Sequence, residues 1–511
     1  MPADAQRDVV AFLSTPEAYG RHADSVERID THISTVWLAG DRAYKLKRAV
    51  RFDYVDFSTI DLRRVACEAE IRLNGRTAPG LYRGVRAVTR EADGSLALGG
   101  QGVVVDWLVE MVRFDQDALF DRLAERGRLD VALMEGLAEA IVRLHAGAAP
   151  RTDRGGREGM AWVVDGNALG FANQGATVLD PAACARVTAD SRAAIDVHAA
   201  RLDARRRGGF VRECHGDLHL RNICLIDGVP TLFDGVEFND AISCIDVFYD
   251  LAFLLMDLWR RGLRSHANAV FNAYVAGTAD VDGVALLPLF LSCRAAVRAK
   301  TSATAGTVQG DARQRSDLET AARQYLDLAQ AFLRPLPPSL VAIGGFSGSG
   351  KSTLARGLAP AIGAAPGALI VRSDVLRKTM LGVAPLTPLS PEGYTTAVTR
   401  RVYRLIGARA LAALKAGHAV IADAVFAGPQ DRDDIAAVAR DAGVPFSGVW
   451  LDAPPAILAR RIGDRAVDAS DATAEVLERQ LLAGPGPLDW RTLDGSMDAE
   501  TVRQRAQALL P

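Results

Sequence analysis

Lysine is scarce in this 511-residue chain, and its cysteines are few and scattered. The six cysteines include no C-x-x-C pair, which excludes a disulfide framework and a zinc site and favours buried thiols in a reducing cytosol. Arginine is the default cation, because only six of the 60 cationic residues are lysine. These six are Lys45, Lys47, Lys300, Lys351, Lys378 and Lys415.

The chain also has almost no net charge and no long apolar run. The formal net charge is −2, and residues 340–511 alone hold 19 Lys+Arg against 17 Asp+Glu, which makes nucleic acid an unexpected partner. No run approaches the roughly 18 apolar residues that span a bilayer, and the start MPADAQRDVV lacks the pattern of a signal sequence. We predict a cytoplasmic protein without a membrane partner, and nothing in the sequence indicates its oligomeric state.

The apolar pattern divides the chain into two blocks. Residues 26–57 have the alternation of a β-meander, and residues 117–210 are mostly helical in period, so a small β-rich lobe precedes a helical one. Three prolines in RPLPPS, 334–339, interrupt the helical pattern, and strands and helices alternate beyond them. We predict a two-lobed α+β domain at 1–333, a Pro-rich linker, and an α/β domain with a parallel sheet at 340–511.

The stretch HGDLHLRN has the spacing of a kinase catalytic loop. Phosphoryl transfer needs a carboxylate near the acceptor hydroxyl, ligands for a divalent metal, and a cation on the nucleotide phosphates. In the loop H-R-D-x-x-x-x-N the Asp accepts the substrate proton and the Asn binds Mg²⁺, which predicts these roles for Asp217 and Asn222. Asp234, after the apolar strand of TLFDGVEF, is predicted as a second Mg²⁺ ligand. His215 and His219 flank Asp217, but no further His or Cys at ligand spacing completes a metal site.

The lysine that binds the nucleotide phosphates has two candidates. Lys45 and Lys47 in AYKLKR point to one face of a predicted strand. Lys45 better matches the A-x-K of the third strand of kinases. The glutamate partner on the following helix is Glu68 or Glu70 in CEAEIRLN, and the sequence does not choose between them.

The sequence CHGDLHLRNICLIDGVPTLFDGVEFND resembles the aminoglycoside phosphotransferase family, whose loop has Gly where protein kinases have Arg. The resemblance covers roughly residues 25–330 and implies a protein-kinase-like fold in which THISTVW covers the nucleotide, although the glycine-rich G-x-G-x-x-G is absent. It also implies that residues 106–111, DWLVEM, present backbone groups to adenine. Asp246 and Asp250 are interpreted as structural residues that brace the catalytic loop.

A second phosphate-binding motif, GFSGSGKS, matches G-x-x-x-x-G-K-[ST] and lies between a predicted strand and a predicted helix. The glycines let backbone N–H groups turn onto phosphate oxygens, and the helix N-terminus adds a favourable potential. Lys351 is predicted to reach the β- and γ-phosphates and Ser352 to hold Mg²⁺. The predicted nucleotide-binding residues are Gly345, Ser347, Gly348, Ser349, Gly350, Lys351, Ser352 and Thr353.

Further candidates follow this motif. Asp423, at the end of the strand AVIAD, suits a second Mg²⁺ ligand. Asp374 in VRSDVLRK, with Arg377 one turn on, resembles an element of small P-loop kinases and is thereby implied to face the acceptor hydroxyl. The segment ILARRIGDRAVDASDAT resembles a lid that closes on the transferring phosphate, or it is a solvated helix face; its arginines are Arg460, Arg461 and Arg465.

The whole chain is similar to bacterial proteins described as bifunctional aminoglycoside phosphotransferase/ATP-binding proteins. This similarity implies two separate nucleotide sites and an ATP- and Mg²⁺-dependent kinase acting on the hydroxyl of a small molecule. The alternative is a nucleotide-dependent regulatory or ligand-sensing protein in which one module is not catalytic. A kinase of nucleic-acid ends is disfavoured by the neutral charge. The acceptor does not follow from the family.

Overall fold

The computed structural model describes residues 6–52, 54–175, 177–384, 386–464 and 469–510. Arg465, one of the predicted lid arginines, lies outside the described residues. The chain forms two compact units. Unit 1 comprises residues 1–163 and 195–254, and unit 2 comprises residues 164–194 and 255–511.

The strands of the described residues are β1 (Val26–Asp30), β2 (Ser34–Ala39), β3 (Arg42–Lys47), β4 (Arg51–Phe52), β5 (Val55–Asp56), β6 (Tyr82–Arg90), β7 (Leu96–Leu98), β8 (Val103–Val112), β9 (Val211–Glu213), β10 (Ile223–Ile226), β11 (Val229–Leu232), β12 (Cys244–Asp246), β13 (Leu340–Gly344), β14 (Leu369–Arg372), β15 (Val420–Asp423), β16 (Phe446–Asp452) and β17 (Arg491–Asp494). The α-helices are α1 (Arg7–Leu13), α2 (Ile60–Asn74), α3 (Phe120–Glu125), α4 (Leu133–Gly147), α5 (Gly156–Gly170), α6 (Pro181–Arg207), α7 (Asp240–Ser243), α8 (Val247–Arg260), α9 (Arg264–Thr278), α10 (Leu287–Val308), α11 (Ala312–Phe332), α12 (Lys351–Leu358), α13 (Ser373–Met380), α14 (Thr396–Lys415), α15 (Pro429–Ala442), α16 (Pro455–Gly463), α17 (Ala474–Ala483) and α18 (Ala499–Gln507).

Unit 1 contains a six-stranded antiparallel sheet in the order β1-β2-β3-β8-β6-β7. The side chains of alternate β3 residues point to opposite faces of this sheet. Leu46 packs in a cluster with Leu13 of α1, whereas Ala43 packs in a cluster with Cys67 of α2. Helix α2 begins where Thr59 accepts a hydrogen bond from a backbone N–H of its first turn. The odd-numbered side chains of β3, which include both candidate lysines, therefore face α2.

That residues 106–111 present their backbone groups to adenine remains a prediction, but the segment is a strand and not a connector. These residues lie inside β8, which pairs with β3 on one side and with β6 on the other. Residues 108–111 pair on both sides, so their backbone N–H and C=O groups belong to the two ladders, whereas residues 106 and 107 are paired only with β6. The chain leaves this sheet only after Val112.

The rest of unit 1 is built from helices and short strand pairs around the catalytic-loop motif. Strand β9 leads into the motif and pairs with β12. The β10–β11 hairpin follows the motif and leads to Asp234. The motif is thus held between two small antiparallel pairs, each of which is fixed by backbone hydrogen bonds.

Unit 2 contains a five-stranded parallel sheet in the order β14-β15-β13-β16-β17. The central strands β13 and β15 are buried along their whole length, as expected for parallel strands covered on both faces. Val341, Ile343 and Ile421 pack with Leu354 and Leu358 of α12, and this packing fixes the helix that follows the phosphate-binding motif. The predicted fold class, an α+β domain followed by an α/β domain with a parallel sheet, is confirmed.

Two asparagines of α9 cover the outer edge of β14. Asn268 Nδ2 donates to the carbonyls of Pro366 and Ala368, at 3.2 and 3.1 Å. Asn272 donates to the carbonyl of Ala368 at 3.2 Å and accepts from the N–H of Ile370 at 2.6 Å. Residues 255–333, which the sequence analysis placed in the first domain, therefore group with the P-loop domain in unit 2.

The predicted domain boundary at 334–339 remains a prediction, and limited proteolysis tests it. Residues 334–337 are exposed and belong to no helix or strand, so a protease is expected to cut there first. The two fragments should elute together from a sizing column, because Asn268 and Asn272 still bind 366–370. Fragments that separate, or a first cut inside either block, would contradict this expectation.

Among the described residues, no helix combines the length and apolar character that crossing a membrane requires.

Candidate functional site

Glu70 of α2 lies between the two candidate lysines and binds both of them. Its Oε1 is 2.9 Å from Lys45 Nζ and its Oε2 is 2.6 Å from Lys47 Nζ. Burial alone would raise the pKa of Glu70, but the two ammonium groups hold it well below its usual value. Glu68, the other candidate, instead pairs with Arg64 on the surface. The structure thus selects Glu70 as the glutamate partner.

Lys45 and Lys47 differ in what else they contact. Lys45 Nζ is 2.5 Å from Asp234 Oδ1, and the Asp234 side chain is 44% exposed. Lys47 is buried and binds Glu237, which is buried too. Burial raises the pKa of Glu237, against the effect of Lys47. Lys45 therefore lies beside the partly exposed Asp234, where a ligand can reach it. Lys47 instead pairs with a carboxylate that is buried in the interior.

Replacing Lys47 by Met is expected to destabilise the protein by roughly 3–5 kcal/mol, because Glu237 is left buried without its cation. Calorimetric unfolding should show a transition at lower temperature. The double variant Lys47→Met/Glu237→Gln should recover part of the loss, since no buried charge is then unpaired. Glu68→Gln, which breaks only the exposed pair, is the control and should cost less than about 1 kcal/mol. If Lys47→Met lowered the free energy of unfolding by as little as Glu68→Gln does, Lys47 would not be needed to neutralise buried Glu237.

Asp234 has a backbone conformation that needs support. Its φ is +60°, in the left-handed region that few residues other than Gly adopt. Its N–H donates to the Tyr82 hydroxyl at 3.1 Å, and the N–H of Gly235 donates to Asn74 Oδ1 at 2.7 Å. These two hydrogen bonds hold the turn that directs the Asp234 carboxylate toward Lys45.

The catalytic-loop motif brings Asp217, His219 and Asn222 together. Asn222 Nδ2 donates to the carbonyl of Asp217 at 2.9 Å and to its carboxylate at 3.1 Å. His219 Nε2 lies 3.3 Å from the same carboxylate. The Asp217 side chain is 39% exposed, so an acceptor molecule could reach it.

Asp250 braces this loop, as interpreted from the sequence. Its carboxylate accepts from the N–H of His215 at 3.1 Å and from the N–H of Gly216 at 2.8 Å. It also contacts the ring of His145 at 3.0 Å. His145, Cys214 and Asp250 form a buried group of possible metal ligands, but the carboxylate is already occupied by these three partners. We interpret the group as structural.

Asp246 also has a structural role. It pairs with Arg205 through two hydrogen bonds of 2.7 and 3.0 Å, and both side chains are buried. The guanidinium of Arg205 also lies over the ring of Phe210, 4.2 Å from its centroid. Since Asp246 belongs to β12, this pair fixes the strand that runs beside the loop.

The turn between β1 and β2 carries His32 where many kinases have glycines. The His32 ring lies against Phe52 and Tyr54, with centroids 6.5 and 6.4 Å apart. Burial lowers the pKa of His32, and the charge of Asp217 acts in the opposite direction. The turn thus lies within electrostatic reach of the catalytic loop. That this turn covers a nucleotide remains a prediction.

The second motif forms the loop between β13 and α12, and its glycines are needed for close packing. Gly345 and Gly348 have φ values of +142° and +82°. A Cβ on Gly345 would lie 2.6 Å from the carbonyl oxygen of Leu451, and one on Gly348 would lie 2.5 Å from that of Leu458. Only Gly therefore permits the loop to lie this close to the neighbouring backbone.

Ser352 and Asp423 meet at the start of α12. Ser352 Oγ donates to Asp423 Oδ2 at 2.6 Å, and the Asp423 side chain is almost fully buried. A hydroxyl and a carboxylate are hard oxygen ligands of the kind that Mg²⁺ takes beside nucleotide phosphates. The donor set therefore fits the predicted metal. Thr353 is exposed in the first turn of α12.

Arg372, which the sequence analysis missed, lies between two acidic groups. Its Nε is 3.7 Å from Asp423, and its Nη2 is 4.0 Å from Asp374. Burial raises the pKa of Asp374, and so does the charge of Asp423, whereas Arg372 and Lys351 lower it. Asp374 therefore lies within electrostatic reach of Lys351. The only sequence signal for Arg372 was its position two residues before Asp374.

The other predicted arginines differ in placement. Arg377 is buried, donates to the carbonyl of Gly393 at 2.8 Å and lies under the ring of Tyr394, so it braces residues 391–394. Arg461 donates to the carbonyl of Gly495 at 2.7 Å. Its role in closing on a phosphate remains a prediction.

Asp471 and Gln480, which the sequence analysis did not single out, bind other parts of the second module. Both follow the predicted lid arginines in the sequence. Asp471 binds Lys378 at 2.9 Å and accepts hydrogen bonds from the N–H of Leu389 and the hydroxyl of Tyr394. Gln480 of α17 accepts from a backbone N–H of the phosphate-binding loop. Such contacts join distant parts of the chain and carry no local sequence signal.

Comparison with known proteins gives one family match and relatives that align with most of the chain. Residues 340–483 match the family described as "AAA domain". Curated relatives from Mycobacterium bovis and Mycobacterium tuberculosis, each described as an uncharacterized protein, are 29% identical over 454 residues, which is 88% of this chain and 88% of the relative. An alignment of this length includes parts of both predicted domains.

Solved structures show the same two kinds of similarity. A choline/ethanolamine kinase family protein from Mesorhizobium loti is 13% identical and covers 65% of this chain and 99% of its own, with a TM-score of 0.40. A putative aminoglycoside phosphotransferase from Ralstonia eutropha is 12% identical, with coverages of 64% and 98% and a TM-score of 0.39. A gluconokinase from Sinorhizobium meliloti is 22% identical, with coverages of 34% and 91% and a TM-score of 0.25. Because these scores are low, any function must be argued from the sites themselves.

Proposed function

We propose that this chain is an ATP- and Mg²⁺-dependent phosphotransferase with two nucleotide-binding modules, which acts on the hydroxyl of a small molecule. The observation that carries the proposal is the contact of Ser352 with Asp423 at 2.6 Å, with Asp374 in the first turn of α13 and Arg372 between the two carboxylates. A phosphate loop and an oxygen-ligand pair support nucleotide binding. A further carboxylate beside them supports transfer to an acceptor.

In the second module, Lys351 and the N–H groups of its loop would bind the phosphates. Ser352 and Asp423 would hold Mg²⁺, which neutralises charge on the transferring group when it is bound. Asp374 would face the acceptor hydroxyl. The raised pKa of Asp374 supports a role as proton acceptor, because a more basic carboxylate takes a proton more readily.

In the first module, Lys45 would bind the nucleotide phosphates, while Glu70 and Lys47 fix its position. Asn222 and Asp234 would hold Mg²⁺, since the amide oxygen and the carboxylate are suitable ligands. Asp217 would accept the proton of the acceptor hydroxyl. Its partial exposure and its hydrogen bond from Asn222 support this role.

A transfer screen with the full chain tests the proposal. ATP labelled in its γ-phosphate would be offered with Mg²⁺ and a panel of sugars, amino sugars, nucleosides and short oligonucleotides. We expect transfer to at least one small hydroxyl compound. The double variant Asp217→Asn/Asp374→Asn is the control and should transfer nothing. Nucleotide binding without transfer to any acceptor class would contradict the proposal and favour the regulatory alternative.

A further inference from the structure

The carboxylate of Asp374 has a hydroxyl partner within its own chain. It accepts a hydrogen bond from the side chain of Ser470, which belongs to the segment 469–473 that precedes α17. Ser470 is half-buried, and the Asp374 side chain is 29% exposed. Because Asp374 is the carboxylate proposed to face the acceptor hydroxyl, the Ser470 hydroxyl occupies the place on this carboxylate that an acceptor hydroxyl would take.

A second contact, between Asp471 and Lys378, holds Ser470 in this place. Lys378 lies one turn after Asp374 on α13, so the two side chains point to the same face of the helix. The amine of buried Lys378 binds Asp471 Oδ1 at 2.9 Å. Asp471 also accepts from the Tyr394 hydroxyl at 2.7 Å. Two consecutive residues of the segment thus contact two consecutive turns of α13, which fixes Ser470 beside Asp374.

A series of contacts joins this serine to the proposed metal ligands. Ser352 Oγ donates to Asp423 at 2.6 Å. The guanidinium of Arg372 lies 3.7 Å from Asp423 and 4.0 Å from Asp374. The Asp374 carboxylate in turn binds Ser470. Ser470 therefore belongs to the same cluster of side chains as the groups that would hold Mg²⁺ and accept the proton in phosphate transfer.

We propose that Ser470 is itself a phosphate acceptor of the second module, so that the protein phosphorylates itself at this serine. The inference rests on the proposed nucleotide binding by this module and on the proposed role of Asp374. The Ser470 oxygen would form a bond to the γ-phosphorus of ATP, and the bond from that phosphorus to the β,γ-bridging oxygen would break. Asp374 would take the hydroxyl proton, and ADP would leave. Since Ser470 is already held beside the carboxylate, this acceptor needs no binding step.

Mass spectrometry of the protein and of its peptides, after incubation with ATP and Mg²⁺ but without any other acceptor, tests the inference. The full chain, dephosphorylated and repurified beforehand, would carry Asp217→Asn so that the first module transfers nothing. We expect one added phosphate, located on Ser470, at a first-order rate that does not depend on protein concentration. Ser470→Ala should remove this phosphate, and Asp374→Asn should slow its appearance by about 10²-fold or more.

Ser95→Ala is the matched control, because Ser95 also donates its hydroxyl to an aspartate, Asp93, at 2.6 Å but lies in the turn between β6 and β7 of unit 1. It should leave the labelling of Ser470 unchanged. Calorimetry should show that Ser470→Ala still binds AMP-PNP, which separates loss of the acceptor from misfolding.

Two outcomes would contradict these expectations in different ways. If the parent chain shows the AMP-PNP binding event that Lys351→Ala removes but gains no phosphate on Ser470, or if Ser470→Ala gains phosphate equally fast, the inference is overturned and nucleotide binding by the module stands. If the parent chain lacks that binding event, the proposed function of this module fails instead.

Discussion

Lys351→Ala is expected to remove one of two nucleotide-binding events and to leave the other unchanged. The Lys351 amine lies 2.9 Å from the carbonyl of Phe346 in its own loop. It is therefore placed to bind the phosphates that residues 345–350 would hold. The Lys45 network is separate, since that amine binds Glu70 and Asp234. Loss of a charge-assisted contact worth about 2 kcal/mol or more should weaken the second site roughly 30-fold or more.

Calorimetry with AMP-PNP and the full chain measures this effect. The wild-type chain should show two binding events, Lys351→Ala should keep one, and Lys45→Ala should keep the other. The double variant should show none. A wild-type chain with a single event that disappears in Lys351→Ala and persists in Lys45→Ala would contradict the proposal of two nucleotide-binding modules.

Asp217→Asn is expected to abolish phosphate transfer by the first module while nucleotide affinity changes little. An amide cannot accept the proton of the acceptor hydroxyl, and loss of a general base typically costs 10²–10⁴-fold in rate. Asp217 contacts His219 and Asn222 and lies on the partly exposed loop, whereas the candidate phosphate lysine binds Asp234. The measurement is turnover on an acceptor found by the transfer screen, together with calorimetry of AMP-PNP binding.

Two variants serve as comparisons for Asp217→Asn. Asp234→Asn should weaken Mg²⁺-dependent nucleotide binding, because it removes a proposed metal ligand next to Lys45. Asp374→Asn should stop transfer by the second module only and should leave both binding events in place. Full turnover of Asp217→Asn on an acceptor of the first module would show that another group accepts the proton.

The sequence predicted those parts of each site that local spacing determines. Ser352 lies in a motif whose loop geometry is set by its own glycines, and Asp423 ends an apolar strand of a parallel sheet, where such residues meet. The choice of Glu70 over Glu68 required the three-dimensional packing of α2. Both side chains belong to one helix, and only the sheet position determines which of them faces β3.

Other features depend on contacts between distant segments and could not be inferred locally. Arg372 lies opposite Asp423 because β14 and β15 pair in parallel, although some 50 residues separate them in the sequence. Gln480 reaches the phosphate loop across 133 residues. Residues 106–111 belong to strand β8, although the resemblance implied a segment that presents its backbone groups to a base, and strand ends have weak sequence signals.

The asparagine pair on α9 also bears on how this protein behaves at high concentration. Strand β14 is an edge of the parallel sheet, and an uncovered edge offers N–H and C=O groups to strands of other chains. Asn268 and Asn272 already use the outward carbonyls of Pro366 and Ala368 and the N–H of Ile370. The start of this edge is therefore occupied by side chains, and we expect that replacing both asparagines by Ala leaves these backbone groups available to a strand of another chain.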